Sequence, residues 1–132
     1  MNFFLDTNIC IYFLKGLSTN INIKLHQVNP NNIKIPSIVK AELLFSAAKS
    51  NRKKHNTELI NEFLSPLEII PFDSSAAGFY AIVRSSLERR GMVIGPNDLM
   101  IASIVLANNG TLVTNNIKEF KQVRKLNVEN WT

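Results

Sequence analysis

The sequence predicts an α/β domain in which a mostly parallel sheet is covered by helices. Short β-type segments alternate with longer helical segments along the chain, and this alternation is typical of such folds. The 132 residues fit one compact unit, so we expect a single domain over residues 1–132. Apolar residues make up 45% of the chain and charged residues 19%, which is the composition of an ordinary globular protein.

The predicted elements follow one another in a regular order. Strands are predicted over residues 3–5, 33–35, 67–71 and 111–114. Helices are predicted over residues 9–15, 19–28, 37–49, 52–64, 74–90 and 96–108. The asparagine-rich turn at 29–32 and the sequence Gly95-Pro96-Asn97 are the clearest breaks between elements.

The helix over 96–108 is the most apolar of the six, and its ends are well specified. Pro96 suits the first helical position, and Asn109-Gly110 supplies a left-handed stop. A strand follows within a residue or two. Because parallel strands end at the same edge of a sheet, we expect Thr114, Asn115 and Asn116 to meet Asp6, the residue that ends the first strand.

Three acids lack an obvious partner. Asp6 lies where a ligand would bind, although capping of the next helix by Asp6 or Thr7 is the commoner role of such residues. Glu42 has no basic residue three or four positions away, which favours a crevice over an ordinary surface position. Asp98 lies in the first turn of an apolar helix. Attraction to the helix dipole is enough to account for an acidic residue at that position.

If Asp6, Glu42 and Asp98 converge, they repel one another unless a cation is present. Oxygen-only ligands favour Mg²⁺, or Mn²⁺, over zinc. We interpret His26 and His55 as surface residues, and Cys10, the single cysteine, as a small core residue. Carboxylate-bound Mg²⁺ is typical of sites that activate water against a phosphodiester, so the pattern predicts a metal-dependent nuclease.

The net charge of the chain favours an anionic binding partner. The net charge is +5 and the pI is near 9.6, which favour binding to nucleic acid, although each basic cluster taken alone is more often a solvated helix face. The longest apolar stretch, residues 99–107, is too short to span a bilayer. No signal peptide is visible, and one buried-type cysteine suits a reducing compartment, so we expect a cytoplasmic protein without membrane contact.

The motifs resemble those of the VapC-type toxins, which are PIN-domain ribonucleases and the toxic half of VapBC toxin–antitoxin pairs. The matching stretches are residues 5–12, 41–44, 94–102, 112–116, Glu119-Phe120 and 128–131. They are distributed along the chain from one end to the other. The resemblance implies a three-layer PIN fold with Asp6, Glu42 and Asp98 as the catalytic, metal-binding acids. It also implies an Mg²⁺-dependent endoribonuclease that cleaves structured RNA, with transfer RNA, and initiator tRNA at its anticodon loop, as the expected target.

The resemblance further implies partners. These are a VapB-like antitoxin, a second copy of the chain in a homodimer within the complex, and DNA only through the antitoxin. Apolar residues beside the pocket are expected to receive the antitoxin, and the residues in question are Ile9, Tyr12, Phe13 and Phe45.

The chain departs from the PIN pattern at one position. Asn116 occupies the place where many PIN domains carry a fourth acid, so either Asn116 acts as a neutral ligand or Glu119 supplies the carboxylate. Thr7 and Asn8 are expected to position Asp6, and Thr114 to hydrogen-bond a carboxylate or a bound water; capping and turn formation are the alternatives. Two other functional classes of protein stay open, namely a phosphate-accepting signalling domain and a catalytically silent binding module.

Overall fold

The computed structural model describes residues 1–132, which form five strands and seven α-helices. The strands are β1 (Phe3–Leu5), β2 (Ile33–Pro36), β3 (Glu68–Ile70), β4 (Thr111–Val113) and β5 (Asn127–Glu129). The helices are α1 (Thr7–Leu14), α2 (Thr19–Gln27), α3 (Ser37–Ala48), α4 (Lys53–Leu64), α5 (Ser74–Arg89), α6 (Pro96–Ala107) and α7 (Ile117–Phe120). A 3-10 turn over Pro30–Asn32 precedes β2.

The sheet is parallel throughout, in the order β3-β2-β1-β4-β5. Phe3 pairs with Ile33 on one side of β1 and with Thr111 on the other, so β1 is the central strand. The ends of β1, β2 and β4 therefore lie at one edge, and the helices that follow β1 and β2 start there. This geometry confirms the predicted fold class.

Six predicted helices and four predicted strands are present with small differences at their ends. Helix α1 starts at Thr7 and not at residue 9, because the Asp6 carboxylate accepts a hydrogen bond from the Thr7 backbone N–H at 2.8 Å. Strand β5 and helix α7 were not predicted. Strand β5 has one apolar residue, Val128, and is held by pairing with β4, while α7 is a single turn.

One core of 26 buried residues joins the sheet to its helices. Helix α6 contributes several of them, and its buried Ser103 hydroxyl donates to the Leu99 carbonyl at 2.7 Å. Cys10 is fully buried, as predicted, and burial raises the pKa of its thiol. His26 and His55 are exposed. None of the helices combines the length and the apolarity that a membrane span requires.

The turn between α6 and β4 brings the site residues to the sheet. Asn109 adopts the left-handed conformation, with φ of 52°, as the stop signal predicted. Gly110 is needed for a different reason, since a Cβ there would lie 2.4 Å from the Phe4 ring. The close approach lets β4 enter the sheet beside β1 directly after the helix.

Candidate active site at the carboxyl edge of the sheet

Asp6 joins three elements. Its backbone N–H donates to the Val113 carbonyl at 2.9 Å, which extends the pairing of β1 with β4. One carboxylate oxygen caps α1 at Thr7, and the other accepts a hydrogen bond from the Thr114 hydroxyl at 2.7 Å. Asp6 therefore both caps a helix and forms the floor of the site, where only 6% of its surface is exposed.

Glu42 faces the same crevice from α3. The Thr7 hydroxyl donates to its Oε1 at 2.6 Å, and the Asn97 side-chain amide donates to its Oε2 at 3.3 Å. Glu42 is half-buried, and no basic side chain pairs with it. These bonds connect α3 to the starts of α1 and α6.

Asp98 occupies the first turn of α6 and has the most perturbed carboxyl of the site. Burial and the nearby negative charges raise its pKa from 3.8 to about 7. Burial is the largest cause, followed by the charges of Asp6, Glu119 and Glu42 and by a hydrogen bond with Glu119. Attraction to the helix dipole acts in the opposite direction, so the dipole alone does not account for this residue.

Glu119 enters the site from α7. The Asn116 side-chain amide donates to its Oε2 at 2.6 Å, and the Gly95 backbone N–H donates to its Oε1 at 3.4 Å. The Asn116 backbone N–H donates to the Thr114 hydroxyl at 3.0 Å. Asn116 thus links Glu119 to the Thr114 hydroxyl, and its amide nitrogen is committed to a carboxylate.

The site has a strongly negative character. Burial raises the pKa of Asp6, the bonds from Thr114 and Thr7 counteract this, and the charges of Glu42 and Glu119 add to it. The two ion pairs of the molecule, Lys34–Glu68 and Arg84–Glu88, involve none of these acids. Four carboxyl groups are therefore close enough to interact. Asp6, Glu42 and Glu119 accept hydrogen bonds from hydroxyl, amide and backbone donors, and the partner of Asp98 is Glu119.

The donor set fits a hard divalent cation. No three of the acids converge tightly enough to form a ready-made cage for a dehydrated ion. Mg²⁺ does not need one, because it usually binds through one or two carboxylates and keeps several waters. Asp6 and Asp98 are acids that could hold it, since the negative charge of Asp6 contributes to the raised pKa of Asp98 and the two groups therefore interact.

The structure also shows that the neighbouring residues Thr7 and Asn8 differ in their contacts, a difference that the sequence alone does not reveal. Asn8 is exposed and its side chain forms no hydrogen bond, because it lies one position beyond Thr7 and so about 100° around α1. The expectation that Asn8 positions Asp6 is therefore wrong. The Thr7 hydroxyl holds Glu42, while its backbone N–H holds Asp6.

Two contacts were missed from the sequence. Asn97 binds Glu42, and the Gly95 backbone binds Glu119. Both residues belong to a Gly-Pro-Asn break that indicates a turn, so the only available signal was their position next to Asp98.

Arg84 is exposed and bonds to Glu88 and Tyr80 on its own helix, which leaves it outside the site.

A parallel five-stranded sheet flanked by helices, with acids gathered at its carboxyl edge, defines the class to which the chain belongs. The PIN domain model matches residues 3–126, and the chain belongs to the PIN-domain family, in its VapC-type group. The three-layer fold expected from the motifs is thereby confirmed.

Individual relatives match over the full length. The chain is 46% identical to "Ribonuclease VapC2" of Rickettsia felis over 132 residues, which are 99% of this chain and 98% of the relative. It is 33% identical to "tRNA(fMet)-specific endonuclease VapC" of Shigella flexneri over 132 residues, or 100% of this chain and 99% of the relative. The structure of VapBC2 from Rickettsia felis, bound to a promoter DNA fragment, superposes with a TM-score of 0.94 at 45% identity and covers 100% of both chains.

Proposed function

We propose that this chain is the toxin of a VapBC-type pair and acts as an Mg²⁺-dependent endoribonuclease. The observation that carries the proposal is the convergence of Asp6, Glu42, Asp98 and Glu119 without a basic partner. Such repulsion has no structural benefit by itself, and a bound cation relieves it. Relatives named as ribonucleases over the full length support the same activity.

Each side chain has a definable task in that reaction. The Thr114 hydroxyl and the Thr7 backbone N–H orient both oxygens of Asp6, and the Thr7 hydroxyl and the Asn97 amide orient those of Glu42. When bound, Mg²⁺ neutralises charge on the phosphodiester and lowers the pKa of a bound water. Asp98 and Glu119 complete the set of acids, with Asn116 holding Glu119.

Cleavage of total RNA by purified protein tests the proposal. The parent should cut RNA in Mg²⁺ or Mn²⁺ and lose activity in EDTA. Asp6→Asn and Asp98→Asn should be inactive with an unchanged circular dichroism spectrum, whereas Glu58→Gln, an exposed and unpaired acid on α4, should retain activity. Full activity of Asp98→Asn would remove the assignment and favour a silent binding module.

The proposed substrate is transfer RNA, and specifically initiator tRNA cut in its anticodon loop. The support is the name of the Shigella flexneri relative together with the general preference of sequence-specific proteins for unstacked RNA loops. Mapping of the cleaved ends by sequencing tests this proposal. Equal cleavage of elongator and initiator tRNAs at unrelated positions would contradict it.

The proposed antitoxin lies in a groove between α1, α3 and α4. Apolar side chains line it, namely Ile11, Leu14, Leu43, Leu59 and Ile60. Ile9 is fully buried and cannot receive a partner, and Phe13 packs on Phe63. Phe45, which is 64% exposed, and Tyr12 stay proposed anchors, and Ile11 and Leu14 of the groove join them. A basic residue of the antitoxin would then pair with the acids in place of the metal.

Solved relatives in complex with an antitoxin support that partner, and some of them also hold DNA. Expression of the chain alone should arrest growth, and co-expression of a small adjoining gene should restore it. Growth unaffected by abundant folded protein would contradict the toxin assignment. We propose that contact with DNA is made through the antitoxin.

A homodimer is proposed from exposed apolar residues on α5 and in the loop that follows it. Phe79 and Ile82 lie one turn apart on α5, and Met92 and Val93 follow in the next loop, where Val93 is 87% exposed. Light scattering should give twice the mass of the chain, and Ile82→Glu should give a monomer. A monomeric parent at high concentration would contradict the proposal.

A further inference from the structure

Four basic residues lie close to Glu119 in the sequence, within residues 118–125. We call Lys118, Lys121, Arg124 and Lys125 the basic rim. All four are exposed, and none forms an ion pair or a side-chain hydrogen bond. Their charges are therefore available to a partner.

The basic rim lies on the same segment of chain as Glu119 of the acidic site. Glu119, whose charge raises the pKa of Asp98, lies on the single turn of α7. Lys118 precedes it in that turn, and Lys121 is the residue that ends the helix. The Arg90 guanidinium donates to the Gln122 carbonyl at 2.8 Å, which ties the end of α5 to the same segment. The segment is therefore fixed relative to the site on two sides.

The backbone of Lys125 gives a second, independent observation. Lys125 has a φ of 67°, in the left-handed region that glycine adopts without steric cost. Strained residues of this kind are often found where a side chain has a function. A charged lysine at such a position adds a basic group to the rim that the turn itself does not need.

A second basic cluster allows a comparison. Arg52, Lys53 and Lys54 are equally exposed and unpaired, but they follow the end of α3. Helix α3 starts at the carboxyl edge of the sheet, and its 12 residues extend about 18 Å away from that edge. The second cluster thus lies farther from the site, and its three charges match three of the four charges of the rim.

We propose that the basic rim is the surface along which the RNA backbone reaches the acidic site, an inference that rests on the proposed ribonuclease function. Four carboxylates repel a polyanion, and adjacent exposed cations offset that repulsion and raise the local RNA concentration. Contacts of this type position the backbone without reading sequence. The rim therefore acts on KM and on the salt dependence and not on the chemical step.

Two charge-matched triple variants test the inference. The rim variant carries Lys118→Gln, Lys121→Gln and Arg124→Gln, and the control carries Arg52→Gln, Lys53→Gln and Lys54→Gln. Each removes three positive charges, so the formal net charge falls from +5 to +2 in both. Cleavage of a tRNA transcript is measured between 50 and 200 mM salt, with circular dichroism and antitoxin binding as checks.

The rim variant should raise KM about tenfold or more, keep kcat within about twofold, and reduce the slope of log KM against log salt by roughly two. The control should change KM less than about twofold. Lys125→Gly should also raise KM while its melting temperature equals or exceeds that of the parent, because glycine relieves the backbone.

The outcomes separate this inference from the function on which it rests. A parent that cleaves no RNA removes both. An active parent whose rim variant keeps its KM and salt slope, or loses no more than the control, overturns the rim alone. Loss of antitoxin binding with unchanged RNA kinetics also overturns it and assigns the rim to the protein partner.

Discussion

Replacing Asp98 with asparagine should stabilise the metal-free protein at pH 8 although it abolishes activity. Burial and the charges of Asp6, Glu119 and Glu42 raise the pKa of Asp98 to about 7, from 3.8 in an unperturbed carboxyl. The folded state therefore holds this proton more tightly than the unfolded state. It follows that the stability of the parent falls as the pH rises from about 4 to about 7, and the loss is complete above pH 7.

The size of the effect follows from that pKa difference. Each pKa unit corresponds to about 1.36 kcal/mol, so the interval from 3.8 to about 7 sets an upper limit of about 4 kcal/mol. Asp98 is only half-buried, and water screens its interactions, which reduces the expected loss to about 1–2 kcal/mol. Asparagine also forgoes roughly 0.3–1 kcal/mol of attraction to the helix dipole. The net gain is about 1 kcal/mol, or about 4 °C for a chain of this size.

Thermal unfolding in EDTA at pH 5 and pH 8 measures the difference. At pH 5 the gain should be less than half of its value at pH 8. Addition of Mg²⁺ should raise the melting temperature of the parent and leave that of Asp98→Asn nearly unchanged. Glu58→Gln, which removes the same charge from α4, should stay within about 0.5 kcal/mol of the parent at both pH values. A gain independent of pH, or a loss at pH 8, would refute the reasoning.

Three further perturbations probe the supporting structure. Gly110→Ala should lower the free energy of unfolding by about 1–3 kcal/mol in urea titrations, because its Cβ would lie 2.4 Å from the Phe4 ring; an unchanged midpoint would show that the turn relaxes freely. Thr114→Val should lower the free energy of unfolding by about 1–2 kcal/mol and remove most of the cleavage rate, because the Thr114 hydroxyl donates to a buried carboxylate. Thr114→Ser should recover both properties, and a fully active valine variant would contradict this role. Glu119→Gln should weaken the Mg²⁺ dependence of cleavage more than Asn116→Ala, because Asn116 acts by holding Glu119, and parent-like kinetics in both would show that neither contributes.

The fold was predictable where local signals and tertiary packing agree. The Gly-Pro start and the Asn109-Gly110 stop delimit α6, and its apolar composition places it in the core. Strand β5 gave no such signal, because an Asn-Val-Glu segment becomes a strand only when β4 offers backbone partners. Propensity and periodicity carry no information on that pairing.

The candidate site was predictable at its acids and less so at the residues that hold them. In the sequence, capping and site formation are alternative roles of Asp6, whereas its two carboxylate oxygens perform both. Thr7 and Asn8 are both expected to position Asp6, but α1 starts at Thr7 and turns the Asn8 side chain about 100° away from that of Thr7. Asn97 could not be assigned because its contact with Glu42 crosses 55 residues of sequence.

The central claim is that the acids at the carboxyl edge of the sheet use Mg²⁺ to cut RNA. Single-turnover cleavage of one tRNA transcript, measured across an Mg²⁺ titration for the parent and for Asp98→Asn, tests it most directly. The parent rate should rise with Mg²⁺ to a plateau and vanish in EDTA, and the variant should show no cleavage at any concentration. Cleavage by the parent at the same rate in EDTA, or a parent-like titration curve for Asp98→Asn, would contradict the claim.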